Sequence, residues 1–124
     1  AVFTAIAKAK KCYGDEGEAK HYERLFAPDF QSTDRDDIRS SGYVVDTLEA
    51  ALWCLLNTDS YEECVLNAVN LGSDTDTVAA VAGGLAGAMY GIEAIPQKWL
   101  DTLIKREYIE DMCERAAKTW TAEK

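Results

Sequence analysis

The sequence predicts an all-α fold, a compact helical bundle, and three observations carry the prediction. Apolar residues recur at three- and four-residue spacing along almost the whole chain. No run alternates apolar and polar residues as a half-buried strand does. The two prolines, Pro28 and Pro96, fall between periodic segments rather than inside them.

A length of 124 residues suits one ordinary domain, and residues 1–124 read as one. A composition of 48% hydrophobic and 28% charged residues excludes a wholly disordered chain. Twenty-two acidic residues against 13 basic ones give a net charge of −9, which argues against a nucleic-acid partner. The longest uncharged run, Thr77 to Ile92, is shorter than the roughly 20 residues of a membrane span. No basic-then-apolar leader opens the sequence. Cys12, Cys54, Cys64 and Cys113 form no Cys-x-x-Cys pair, and His21 is the only histidine, so a zinc site is not indicated. Each cysteine has apolar neighbours at helical spacing, so four buried free thiols and a cytoplasmic location are expected.

Val2, Phe3, Ile6 and Ala9 predict a short amphipathic helix that Gly14 and Gly17 interrupt. Tyr22, Leu25 and Phe26 form a helical turn stopped by Pro28. Residues 29–41, with Asp29, Asp34, Asp36 and Asp37, read as a polar connector without a metal role, since nothing apolar fixes their geometry. The next helix has the clearest stripe: Val44, Val45, Leu48, Ala51, Leu52, Leu55 and Leu56, with Asp46 and Glu49 off it. Ser60 and Glu63 make a capping box for a helix that buries Cys64, Val65, Ala68 and Val69, and Gly72 suits a left-handed stop. From Val78 to Tyr90 every face is small or apolar, predicting a helix buried all round, with Gly83, Gly87 and Gly91 allowing close backbone approach. Pro96 opens a helix carrying Trp99, Leu100, Leu103 and Ile104. Tyr108, Ile109, Met112 and Ala116 mark a last helix, and residues 119–124 are expected to fray.

One stretch has the composition of a site: Gly72-Ser73-Asp74-Thr75-Asp76-Thr77, directly before the most apolar helix. Carboxylates at i and i+2 cannot share a helix face, so at least one sits on the preceding loop, where both can converge on one cation with the Thr77 hydroxyl. Asp74, Asp76 and Thr77 are hard oxygen donors, suited to Mg²⁺, Mn²⁺ or Ca²⁺ rather than zinc or copper. The helix dipole also favours negative charge there. The same residues suit plain capping, with Thr75 or Asp76 as the cap and Asp74 merely solvated. Two other motifs fail. An aspartyl-phosphate phosphatase needs Asp74 at the end of a buried parallel strand, and Ala68-Val69-Asn70-Leu71 is too short for one. A calcium loop counted from Asp74 would place Leu85 where a glutamate belongs.

Four blocks in order, Ser40-Ser41-Gly42-Tyr43-Val44-Val45-Asp46-Thr47-Leu48-Glu49-Ala50-Ala51-Leu52-Trp53, Gly72 to Thr77, Gly83 to Gly91 and Ile95-Pro96-Gln97-Lys98-Trp99, resemble the C-terminal part of the ADP-ribosylglycohydrolase family. The resemblance runs from residue 40 to 116. It implies an all-helical bundle around a centre of two divalent cations, Mg²⁺ or Mn²⁺, and hydrolysis of an N- or O-glycosidic ADP-ribosyl bond on a modified protein or small molecule. It implies Asp74, Asp76 and Thr77 as metal ligands, with Asp76 bridging the ions, and Gly42 and Tyr43 against the adenosine part of the ligand. It assigns no catalytic residue in this chain. Ser73 stands where the family usually has glycine or aspartate. The family's N-terminal glutamate and Thr-Asp-Asp ligands have no match, since Thr33-Asp34-Arg35-Asp36-Asp37 lies in the connector. A C-terminal fragment is therefore expected, incomplete as a site and prone to self-association or to pairing with an N-terminal piece. The alternatives are a non-catalytic ADP-ribose-binding or structural descendant, or an inactive C-terminal fragment that needs its N-terminal half.

Overall fold

Helix α2 (Val44–Leu56) organises the first part of the molecule because it is covered on more than one side. The computed structural model describes residues 1–14 and 17–122. Along it run α1 (Val2–Tyr13), 3₁₀ turns at Gly17–Tyr22, Phe30–Ser32 and Arg35–Asp37, then α2, α3 (Tyr61–Val69), α4 (Thr75–Tyr90), a 3₁₀ turn at Ile92–Ala94, α5 (Gln97–Thr102) and α6 (Arg106–Ala122). No strand occurs among the described residues, so the all-α expectation holds. None of the described helices is long and apolar enough to cross a membrane. Length suggests one domain, whereas the chain divides into two compact units, Ala1–Ala94 and Ile95–Lys124.

In the first unit α2, α3 and α4 pack on one another. Their shared core holds Ala50, Ala51, Trp53, Cys54, Leu55, Cys64, Ala68, Val78, Ala82 and Ala86. Gly83 and Gly87 face Tyr61: a methyl group on Gly83 would lie 3.4 Å from the Tyr61 hydroxyl and 3.6 Å from Val65. Gly91 instead ends α4, its φ of +82° lying in the region that favours glycine.

Several sequence expectations change. Val69, expected buried in α3, is exposed, and Leu103 and Ile104, expected on the helix opened by Pro96, lie past the end of α5. The 29–41 connector is not merely solvated: Phe30, Ile38 and Ser40 are buried. Its carbonyls and amides are tied to α2, with Trp53 Nε1 donating to Thr33 O at 3.1 Å and Gln31 Nε2 to Leu56 O at 2.8 Å. That cover moves the buried face of α2 around the helix. Glu49, expected off the stripe, is buried, and Val44, expected on it, is 64% exposed. Helix α4 is not enclosed all round. Val78, Ala82 and Ala86 are fully buried, while Ala80, Gly84 and Ala88 face outward, which costs little because such side chains present little apolar area. Cys54 and Cys64 are buried as expected, but Cys12 and Cys113 are exposed; α1 buries no residue fully.

In the second unit α6 continues to Ala122, past the predicted onset of fraying at residue 119. Salt bridges one turn apart line it: Arg106–Glu110 at 2.7 Å, Arg115–Asp111 at 3.7 Å and Lys118–Glu114 at 3.6 Å. Thr119 Oγ1 donates to Arg115 O, extending the last turns. Residues 123 and 124 of the predicted tail lie outside the described residues.

Candidate metal centre

The chain enters α4 through two consecutive residues with positive φ, Gly72 at +92° and Ser73 at +59°. A serine there carries a steric cost that surrounding contacts must offset. Those contacts come from the loop before α2. Ser40 Oγ donates to Gly72 O at 2.5 Å, and the Asp74 amide donates to Ser40 O at 2.9 Å. One residue, Ser40, thus grips both sides of the turn.

Asp74 occupies the N-cap position of α4, yet its side chain makes no capping bond. Oδ1 accepts a hydrogen bond from Thr77 Oγ1 at 3.0 Å. Oδ2 lies where a methyl group on Gly42 would approach within 3.0 Å. Asp76 and Thr77 are exposed in the first turn of α4, and Asp74 is half-buried. The simple capping arrangement, with Thr75 or Asp76 as cap, is not the one adopted.

The facing loop is equally well braced. Ser41 Oγ donates to Asp46 Oδ2 at 2.6 Å and accepts from the Tyr43 amide at 3.1 Å. Thr47 Oγ1 shares its hydrogen with Ser41 O and Tyr43 O, each at 3.2 Å. Tyr43 stands at the N-cap of α2, half exposed. The structure therefore brings Gly42 against Asp74, with Tyr43 next along the loop. Ser40 holds the two loops together and Ser41 with Asp46 braces the loop before α2, none of them expected as site residues from the sequence. Their only local signal is a serine pair before a helix, a common side-chain-to-backbone turn.

One turn along α2, Glu49 lies 3.8 Å from Arg24, whose guanidinium also donates to Asp37 O at 2.7 Å. Burial pushes the Glu49 carboxyl above its ordinary range and Asp46 adds to the rise, against opposing pulls from Arg24 and Arg39.

The donor chemistry fits a hard divalent cation. Asp74 and Asp76 carry carboxylate oxygens and Thr77 a hydroxyl, all hard donors, and Asp74 Oδ1 and Thr77 Oγ1 stand 3.0 Å apart, joined by a hydrogen bond. The set is small, however: no group of three or more His, Cys, Asp or Glu side chains is gathered for metal binding among the described residues.

The described residues form helices and turns without strands, with two aspartates and a threonine leading into a core helix, as the all-α fold implied by the sequence blocks requires. The chain belongs to the ADP-ribosylglycohydrolase family, whose sequence profile matches residues 2–124. It is 51% identical over 89 residues to an ADP-ribosylarginine hydrolase, Tri1, of Serratia proteamaculans, a match covering 72% of this chain and 24% of that protein. The Tri1 of Pseudomonas putida is 46% identical over 88 residues, covering 71% and 24%. The ADP-ribosyl-[dinitrogen reductase] glycohydrolase of Rhodospirillum rubrum is 46% identical over 65 residues, covering 52% and 22%. The chain thus spans about a quarter of the length of these relatives.

Proposed function

We propose that this chain supplies one wall of a divalent-cation-dependent site that hydrolyses an ADP-ribosyl bond, releasing ADP-ribose from a modified protein or small molecule in the cytoplasm. The names of the relatives support the reaction class. The observation that carries the reading is the Asp74 carboxylate, which forgoes capping and holds one oxygen 3.0 Å from the Thr77 hydroxyl.

Asp74, Asp76 and Thr77 would hold Mg²⁺ or Mn²⁺, with Asp76 shared between two ions. When bound, the ions supply positive charge beside the ligand's diphosphate and polarise a water for attack at the anomeric carbon. An acidic chain of net charge −9 has need of that charge. The residues of this chain do the positioning. The Ser40 seam fixes where the Asp74 backbone lies, and the Ser41–Asp46 bond fixes the Gly42-Tyr43 loop. Tyr43, half exposed, offers a ring face to the adenosine portion.

Two carboxylates and a hydroxyl leave most of two six-coordinate shells open, so the remaining ligands come from water, substrate or residues outside these 124. The decisive assay places these residues in the matching segment of the Serratia relative and measures free ADP-ribose released from arginine- or serine-linked substrates with Mg²⁺ or Mn²⁺. Turnover lost on adding a chelator and restored by Mn²⁺ is the expected result. A folded chimera that binds ADP-ribose without turnover would leave the non-catalytic descendant as the answer.

A further inference from the structure

Gly42 is not a glycine for conformational reasons, since its φ is not positive; among the described glycines Gly72 and Gly91 alone have positive φ. What it lacks is a side chain, and the space so left is filled by one group. A methyl built there would stand 3.0 Å from Asp74 Oδ2 and 3.9 Å from its carboxyl carbon, with nothing else among its three nearest neighbours inside 4 Å. Asp74 has little freedom to retreat. Its amide is held by Ser40 O at 2.9 Å and its other oxygen by Thr77 Oγ1 at 3.0 Å. Held through its backbone amide and one oxygen, the carboxylate gives the few tenths of an ångström needed by turning about its own torsions, which moves Oδ1 relative to the Thr77 hydroxyl.

We infer that Gly42 is a positioning residue for the metal site: its bare α-carbon sets the rotation of the Asp74 carboxylate and so the alignment of Oδ1 with the Thr77 hydroxyl. This rests on the metal-binding reading above, in which Asp74 and Thr77 are ligands. It gives Gly42 a task separate from any contact with substrate. The backbone seam makes the effect local. Ser40 sits two residues from Gly42 and fixes the loop spacing through backbone and hydroxyl bonds that a methyl group at position 42 leaves intact. Displacing a group that orients a ligand typically weakens metal binding by about tenfold or more.

The test uses the 124-residue chain itself, with Mn²⁺ as probe and selective broadening of amide NMR signals as readout. In the wild type, Mn²⁺ broadens Asp74 to Thr77 before the exposed Asp111 and Glu114 of α6, and Asp74→Ala abolishes that preference. Gly42→Ala raises the Mn²⁺ concentration needed for half-broadening about tenfold. It also shifts the Asp74 carboxyl carbon signal in metal-free solution. Gly84→Ala, where an added methyl meets nothing within 4 Å, changes neither. A Gly42→Ala chain with wild-type carboxyl signal and wild-type Mn²⁺ response overturns the inference. Failure of Asp74→Ala to alter the Mn²⁺ response overturns the metal reading instead, and the metal-free carboxyl signal then still decides the positioning role. Should Gly42→Ala unfold the chain, the pair Gly42→Ala/Asp74→Ala decides. Stability equal to that of Asp74→Ala alone supports the inference, and equal destabilisation with and without the carboxylate overturns it.

Discussion

Helices α3 and α4 follow one another and begin with residues equally fitted to cap them, yet they begin differently. Ser60 enters α3 from extended backbone, accepts the Glu63 amide at 3.2 Å, and has Glu63 reach back to the Asp59 amide at 3.2 Å. Asp74 enters α4 through two residues of positive φ and gives its carboxylate to Thr77 and the space above Gly42 instead of to the helix amides. Both starts are ordered, but only the first uses its side chain to accept a helix amide. A residue that could satisfy a helix terminus and does not leaves those amides to other partners, and its charge free for a ligand. The difference separates a plain helix cap from the arrangement that the proposed metal site requires.

Changes that break this contrast should rank by how directly they touch ligand oxygens. In the chimera with the Serratia relative, Asp76→Ala is expected to cost the most Mn²⁺ affinity, Asp74→Ala less, and the neutral Thr77→Val least, the first by well over about tenfold. Calorimetric titration checks the order, and equal, negligible effects would return the stretch to ordinary capping. Ser60→Ala acts on the other side of the comparison. It should lower the stability of the 124-residue chain by about 1 kcal/mol, seen in denaturant melts, without moving Mn²⁺ affinity. Asp74→Ala should cost less stability than Ser60→Ala, because no capping bond is lost. Ser73→Gly removes a non-glycine residue from φ +59° and should stabilise the chain by up to about 1 kcal/mol, part of the gain being offset by a more flexible unfolded chain.

The smallest effect concerns pH. The Glu49 carboxyl is raised in the folded state, so the native chain holds its proton to higher pH than the unfolded chain does. Its contribution is fully present below the unfolded value, close to 4.5, and is lost as pH rises through the folded value above it. Stability measured across that window should fall less steeply with rising pH in Glu49→Gln than in the wild type.

Local patterns were legible in the sequence. The Ser60/Glu63 box and the acidic loop before α4 each depend on residues close in sequence, whereas Gly83 and Gly87, expected to admit a neighbouring backbone, admit the Tyr61 side chain instead. Contacts that span the chain were not legible from spacing. The Ser40–Gly72 bond joins residues 32 apart, and nothing in the pattern around Gly42 says that Asp74 fills the space beside it. That pairing could be anticipated only through family resemblance, which set both blocks in one site without giving the contact. The burial of Glu49 was hidden for the same reason. Helical periodicity marks it as outward, and only the connector folded over α2, with Arg24 beside it, turns that face inward. Helix α4 misled in the opposite direction, because alanine and glycine are tolerated equally inside and out, so their composition cannot say which face is covered.

The four thiols split into two kinetic classes. Burial, with a smaller push from Cys64, moves the Cys54 thiol up to about 12, and burial raises Cys64 as well, so neither offers a thiolate near neutral pH while the fold is closed. Cys12 and Cys113 lie open to reagents. An alkylating reagent would therefore mark the outer pair at once and reach the inner pair only during excursions that open the α2–α3 core. The slow phase of labelling then works as an internal clock, reporting how often that core opens in buffer without denaturant.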